Sequence, residues 1–350
     1  MKVILVEFPW QAKEICENKV YNDYIIVSTD SEASYILKKN NHRYFDIHEF
    51  YNQENFWKKY KHITDNSLKI TKILDKYLWK FDNRFKDLQW NLFDDLHSVF
   101  KRSYEQLYYY AESTSKLIER FNPSQITVAD TENIKFTQQM LVDSNISLFK
   151  FLFHNLKESD KKIEIKYMRE NSETIPGKFT NNFYKKFFNK VLIKNKLRNF
   201  YYKLDFYFNY FSTKPQYFSV GCFEIDYFKK LYPQESKRYI CYNHEDINYA
   251  NSKDEWKYFN DFCKELNNDN EFKTLTNYKE INFNNLFFEI VLQLSKSFDN
   301  FIKKYYKAKK IIEKTRPKCL IFRTMTPFES SNVIFRKICK DLKLPYVTWI

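Results

Sequence analysis

The chain opens on Lys2-Val3-Ile4-Leu5-Val6, a short β-rich run that enters a loop at Glu7-Phe8-Pro9-Trp10. The next stretch predicts a strand over 24–28, a helix over about 31–39 and a strand over 43–47. These strand runs are almost wholly apolar, as expected for strands covered on both faces of a parallel sheet. From 55 to 120 the period changes to that of a helix. Ile70, Ile73, Leu74, Tyr77, Phe81, Phe85 and Leu88 share one face, and so do Phe93, Leu96, Phe100, Tyr104, Leu107 and Ala111. This predicts two or three long amphipathic helices whose aromatic stripes face a core.

A strand–helix–strand pattern follows at 122–151, with a strand at 125–129, a helix near 132–143 and a strand at 147–152. A second lies at 216–243. Helices are predicted at about 251–267 and over 283–315. The last pattern, 316–350, echoes 122–152: Pro123 and Pro317 each follow a helix end, and each precedes an apolar strand, a polar loop, a helix and a further strand. The expectation is an α/β fold, a Rossmann-like parallel sheet with long helices and a basic helical insertion. Residues 1–157 form the first α/β segment, 158–213 the insertion, and 214–350 the segment that completes the same sheet.

Composition narrows the chemistry. Only Gly177 and Gly221 are glycine, so neither a P-loop nor a G-x-G-x-x-G fingerprint is present. Six scattered cysteines form no C-x-x-C pair, and six histidines show no metal-binding spacing, so no metal site is expected. Reduced thiols and no recognisable signal peptide suggest a cytoplasmic protein. A formal charge of +14 points to an anionic partner, with lysine-rich codon drift as a competing explanation.

The segment "RPKCLIF…TPFESSNVIFRKICKDLKLPYVTWI" resembles the last strand–helix–strand of the amino-terminal half of GT-B type glycosyltransferases of surface polysaccharide assembly, including proteins like CDP-glycerol glycerophosphotransferases. Arg316-Pro317, the helix near 329–341 and Leu344-Pro345-Tyr346-Val347 carry the match. The resemblance implies the first half of a two-domain GT-B protein, working on the acceptor side of surface polysaccharide or lipid-linked glycan synthesis. Its partners would be a nucleotide sugar and a glycan acceptor. The nucleotide-sugar donor would be held mainly by a second catalytic domain after residue 350, and no other cofactor is expected. The alternative is a non-catalytic basic module for anionic membrane or single-stranded nucleic acid.

Ligands of open α/β sheets bind beyond the carboxyl ends of the strands, which selects loops without any motif. Transfer to a hydroxyl needs a general base. Asp130, Glu7 and His244 are the candidates, although Asp130 also suits a helix N-cap, Glu7 a solvated loop acid and His244 a surface turn. Asp30, Gly221, Arg323 and Thr324 are candidate substrate-binding residues. Thr326-Pro327-Phe328-Glu329 reads as a capping box.

Residues 183–211 contain twelve aromatic residues and seven Lys or Arg against one acid, Asp205. Lys185, Lys186, Lys190 and Lys194 surround an apolar stripe, which suits either packing onto the domain or peripheral contact with an anionic membrane. No base-reading motif accompanies the aromatics, so nucleic acid is the weaker expectation. Reversing the charge of these four lysines together is expected to abolish co-sedimentation with anionic liposomes. Unchanged association would leave the segment only a packing role.

Overall fold

The computed structural model describes residues 1–51, 53–131, 147–154, 163–170, 217–220, 230, 239–242, 256–278, 281–282, 284–322 and 330–348. The order of elements is β1 (Lys2–Val6), α1 (Pro9–Glu17), β2 (Tyr24–Ser28), α2 (Ser31–Lys39), β3 (Phe45–Asp46), α3 (Gln53–Phe81), α4 (Asn83–Asp87), α5 (Leu92–Asp95), α6 (His97–Phe121), β4 (Gln125–Ala129), α7 (Leu148–His154) and β5 (Glu164–Met168). Then come β6 (Tyr217–Val220), β7 (Tyr239–Tyr242), α8 (Phe259–Asn268), α9 (Asn270–Leu275), β8 (Asn277–Tyr278), β9 (Ile281–Asn282), α10 (Asn284–Ser295), α11 (Phe298–Thr315), β10 (Cys319–Phe322), α12 (Ser330–Leu342) and β11 (Tyr346–Thr348). Two compact units result: Met1–Glu173 with Lys253–Lys296, and Thr174–Ser252 with Ser297–Ile350.

In the first unit β1–β5 form a parallel sheet in the order β3-β2-β1-β4-β5. This is the Rossmann-like order, whose direction of winding reverses between β1 and β4. Ile4, Val6, Ile26 and Met168 pack with Ala12 and Ile15 of α1 and Ala33 and Leu37 of α2. The connection from β3 to β4 is helical. Its core joins Phe93 and Phe100 to Phe262 and Phe287, which belong to the returning segment. Tyr77 Oη donates to Asp269 Oδ2 at 2.9 Å, and Tyr104 Oη to the Leu275 carbonyl at 2.9 Å, which anchors α8 and α9 to α3 and α6.

The second unit has its own parallel sheet, in the order β11-β10-β6-β7. The expectation that 214–350 completes the first sheet is therefore corrected. An apolar run reports that a strand is buried, but carries no information about which strand it will bond. Within this unit a Tyr305–Asp341 hydrogen bond ties α11 to α12, and within α12 Lys337 Nζ stands 2.5 Å from the same Asp341 carboxylate.

Strands 24–28 and 125–129 and helix 31–39 lie where the pattern places them. Four expectations change. The run 147–152, expected as a strand, is helix α7, because a short apolar run suits either form and Glu7 supplies a helix N-terminus from afar. The helix expected over 283–315 is α10 and α11, and Ser295 turns its hydroxyl back to the Leu292 carbonyl at 2.7 Å near the break. The insertion at 158–213 begins with a sheet strand, β5, paired to β4. The loop after β1 is only two residues long before α1, which starts with Pro9 at its first position.

Among the described residues, five non-glycine residues have positive φ: Asn41, Gln89, Asn122, Arg316 and Lys343. After Asn41, Gln89 and Lys343 the next amide returns to a carbonyl five residues back, closing the helix end. Asn122 and Arg316 precede Pro123 and Pro317, whose rings have no N–H to give, so each donates its own amide to the carbonyl four back. The two repeats read from the sequence thus share this backbone device. No described helix is long and apolar enough to cross a membrane.

Phe287 is fully buried against Phe100, Tyr104 and Phe272. Phe287→Ala is expected to lower stability by about 3–5 kcal/mol in urea unfolding. Lys72→Ala, on the exposed side of α3, should change it by less than about 0.5 kcal/mol.

Candidate functional site

The first unit builds its site at the carboxyl ends of β1–β4. The turn from β1 into α1 is closed by the buried side chain of Gln11. Its Oε1 accepts from the amides of Glu7 (2.8 Å) and Phe8 (3.2 Å), and its Nε2 donates to the Leu5 carbonyl at 3.1 Å. In a dinucleotide-binding fold this turn leaves its amides free for a pyrophosphate. Here Gln11 takes the amides of Glu7 and Phe8.

Glu7 fills the neighbouring position. Its Oε1 accepts from the amides of Leu148 (3.0 Å) and Phe149 (3.4 Å), and its Oε2 accepts from Ser147 Oγ. Ser147 Oγ in turn accepts from the Lys150 amide at 3.1 Å, and the Ser147 amide donates to Thr131 Oγ1 at 2.8 Å. Glu7 is therefore not the solvated loop acid that one reading allowed. It is a carboxylate set on the first amides of α7. Burial of the carboxyl pushes its pKa up to about 7, and the three donors only partly offset this.

Asp130, at the end of β4, is paired with Lys150 Nζ at 2.7 Å and Arg169 Nε at 2.6 Å. The Lys150 contact, followed by that of Arg169, holds its carboxyl below the usual range. Asp130 is thus ionised at neutral pH and braced by two cations. Asp30, at the end of β2, accepts from the Ala33 amide at 2.7 Å and caps α2. The structure therefore brings together Glu7, Asp30 and Asp130 at adjoining strand ends. His244, Gly221, Arg323, Thr324 and the four lysines at 185, 186, 190 and 194 lie outside the described residues, as does the capping box at 326–329. The strands that lead to Gly221 and Arg323, β6 and β10, are hydrogen-bonded neighbours.

A cavity of about 760 Å³ lies on the same side of the sheet, lined by His48, Tyr51, Trp57, Arg102, Glu105, Gln106, Tyr109 and Tyr110. His48 follows β3, and its Nδ1 lies 2.6 Å from Tyr109 Oη. Tyr110 feels the charges of Glu7 and Asp30 and packs on Phe149 of α7, with ring centroids 4.8 Å apart, so one aromatic joins the cavity to the strand-end carboxylates. Concave and aromatic-walled, with His48, Arg102, Glu105 and Gln106 as its polar groups, it has the form of a small-ligand pocket. No protein-family model, curated protein or solved structure matches the chain. Among the described residues no group of three or more His, Cys, Asp or Glu could hold a metal ion.

The cavity was legible only in part. Arg102, Glu105, Gln106 and Tyr109 follow helical spacing on the side of α6 opposite the buried Phe100, Tyr104, Leu107 and Ala111. That second stripe was the available signal, and core reasoning discards it.

Because the folded Glu7 carboxyl holds its proton up to about pH 7 and the unfolded one only to about 4.5, the native state binds more protons in that window. Stability contributed by this group is therefore present below the window and falls as pH rises through it, by up to about 3 kcal/mol. Glu7→Gln is expected to flatten that slope, measured as urea midpoints at pH 5 and pH 7.5. Identical slopes in both proteins would show that Glu7 does not titrate there.

Proposed function

We propose that the chain takes part in glycosyl or glycerophosphoryl transfer as a GT-B type protein, and that its first unit handles the acceptor. The observation that carries this is the pairing of an open aromatic cavity with a strand-end crevice whose phosphate-type amides are already occupied by Gln11 and Glu7. Such a face suits a hydroxyl-bearing acceptor better than the pyrophosphate of a nucleotide sugar. The donor is accordingly assigned to protein outside the first unit.

Within the site, Glu7 is the group whose pKa of about 7 suits a general base, with Ser147 as the hydroxyl through which a proton could pass. Asp130, ionised and braced, would stabilise positive charge nearby instead of accepting a proton.

A second reading, a non-catalytic module for an anionic membrane, is favoured by α11. Lys303, Tyr306, Lys307, Lys310 and Lys314 are all exposed at helical spacing along it. Under the first reading the same lysines would rest a cytoplasmic enzyme on the inner face of a membrane, where lipid-linked acceptors lie.

The test is release of nucleotide from a panel of nucleotide sugars and CDP-glycerol, with and without oligosaccharide acceptors. Acceptor-stimulated release, at least tenfold reduced in Glu7→Gln, is the expected result. Steeply salt-dependent liposome binding with no release from any donor would favour the binding module and sink the transferase.

A further inference from the structure

The cavity presents two charged side chains. Arg102 is exposed at its wall, and among the described residues it makes no ion pair. Glu105 also lines it, with its Oε1 buried and ion-paired to Lys101 Nζ at 3.6 Å. A guanidinium without a carboxylate is complementary to an anionic group on a ligand.

The walls add a third requirement. Trp57 is 63% exposed, and Tyr51, Tyr109 and Tyr110 complete an aromatic surface. The negative face of an aromatic ring attracts the weakly positive C–H face of a pyranose, while its flat area excludes water. Sugar hydroxyls are donors for the Glu105 carboxylate, which lines the cavity while its Oε1 is held by Lys101. Gln106, exposed on the same helix, offers both a donor and an acceptor. A purely apolar ligand would leave Arg102 unpaired, and a simple inorganic anion would leave the aromatic walls unused.

We propose that this cavity binds an acidic saccharide. Its pyranose face lies on Trp57 and the tyrosines, a hydroxyl donates to Glu105, and its carboxylate or phosphate pairs with Arg102. The proposal rests on the acceptor reading of the first unit and names the class of acceptor: a glycan that carries a negative charge on the sugar itself.

Calorimetric titration of the full chain tests it with methyl β-glucuronide, methyl β-glucoside and glucose 6-phosphate. The glucuronide is expected to bind saturably and at least about tenfold more tightly than the neutral glucoside, the discrimination one charge-assisted pair can supply. Arg102→Gln should remove that preference and leave glucoside binding unchanged. Trp57→Ala should weaken all ligands. Arg102 and Trp57 are exposed, so both variants should fold, and circular dichroism checks this. Glucose 6-phosphate binding in place of the glucuronide would identify a phosphosugar as the charged ligand and still support the site. Equal affinity for charged and neutral sugars, insensitivity to Arg102→Gln, or no binding by any probe would overturn the proposal. Binding without turnover would sink the transferase reading alone, and turnover without charge preference would sink this one alone.

Discussion

The Glu7 carboxylate on the first amides of α7 is the contact from which the working face of the first unit is built. An acid there satisfies helix donors and meets the positive end of the peptide dipoles, but it must surrender water to do so. Burial outweighs the donors, so the group holds its proton at a pH where most carboxylates have lost theirs. Its position fixes α7 over the strand ends. Phe149 of α7 then packs on Tyr110, and Tyr110 forms part of the cavity wall. One ion-bearing side chain thereby connects the centre of the sheet to a pocket lined from α6.

Glycine scarcity is the second organising constraint. Where other Rossmann-like folds bring bare backbone up to a phosphate, this chain closes the β1–α1 turn with a glutamine side chain. Where helices end in left-handed residues, it uses asparagine, glutamine, arginine and lysine. Each such residue costs about 1–2 kcal/mol relative to its relaxed backbone, a strain the closing hydrogen bonds must offset. The amides that a glycine-rich turn would leave free for a phosphate are held here by a side chain of the same chain.

Periodicity revealed the strands at 24–28 and 125–129, the helix at 31–39 and the long helical excursion, because each has a strongly buried face. It could not reveal that the later strands form a separate sheet, since strand pairing depends on contacts remote in sequence. Nor could it choose helix for 148–154, where the deciding partner is Glu7, far away along the chain. Strand-end reasoning found Glu7, Asp30 and Asp130, yet their roles were set by Ser147, Lys150 and Arg169, which no local motif marks. The cavity residues escaped because they stand on the helix side that looks merely solvated.

The first unit closes its helical layer with residues that lie beyond the interval Thr174–Ser252, which belongs to the second. Tyr77 and Tyr104 reach across that interval to donate to Asp269 and to the Leu275 carbonyl. During synthesis at roughly 5–20 residues per second, the sheet can therefore emerge several seconds before the segment that covers α3 and α6. Through that interval an aromatic face stands open on the nascent chain. The two units are interleaved along the chain, so no single cut separates one from the other.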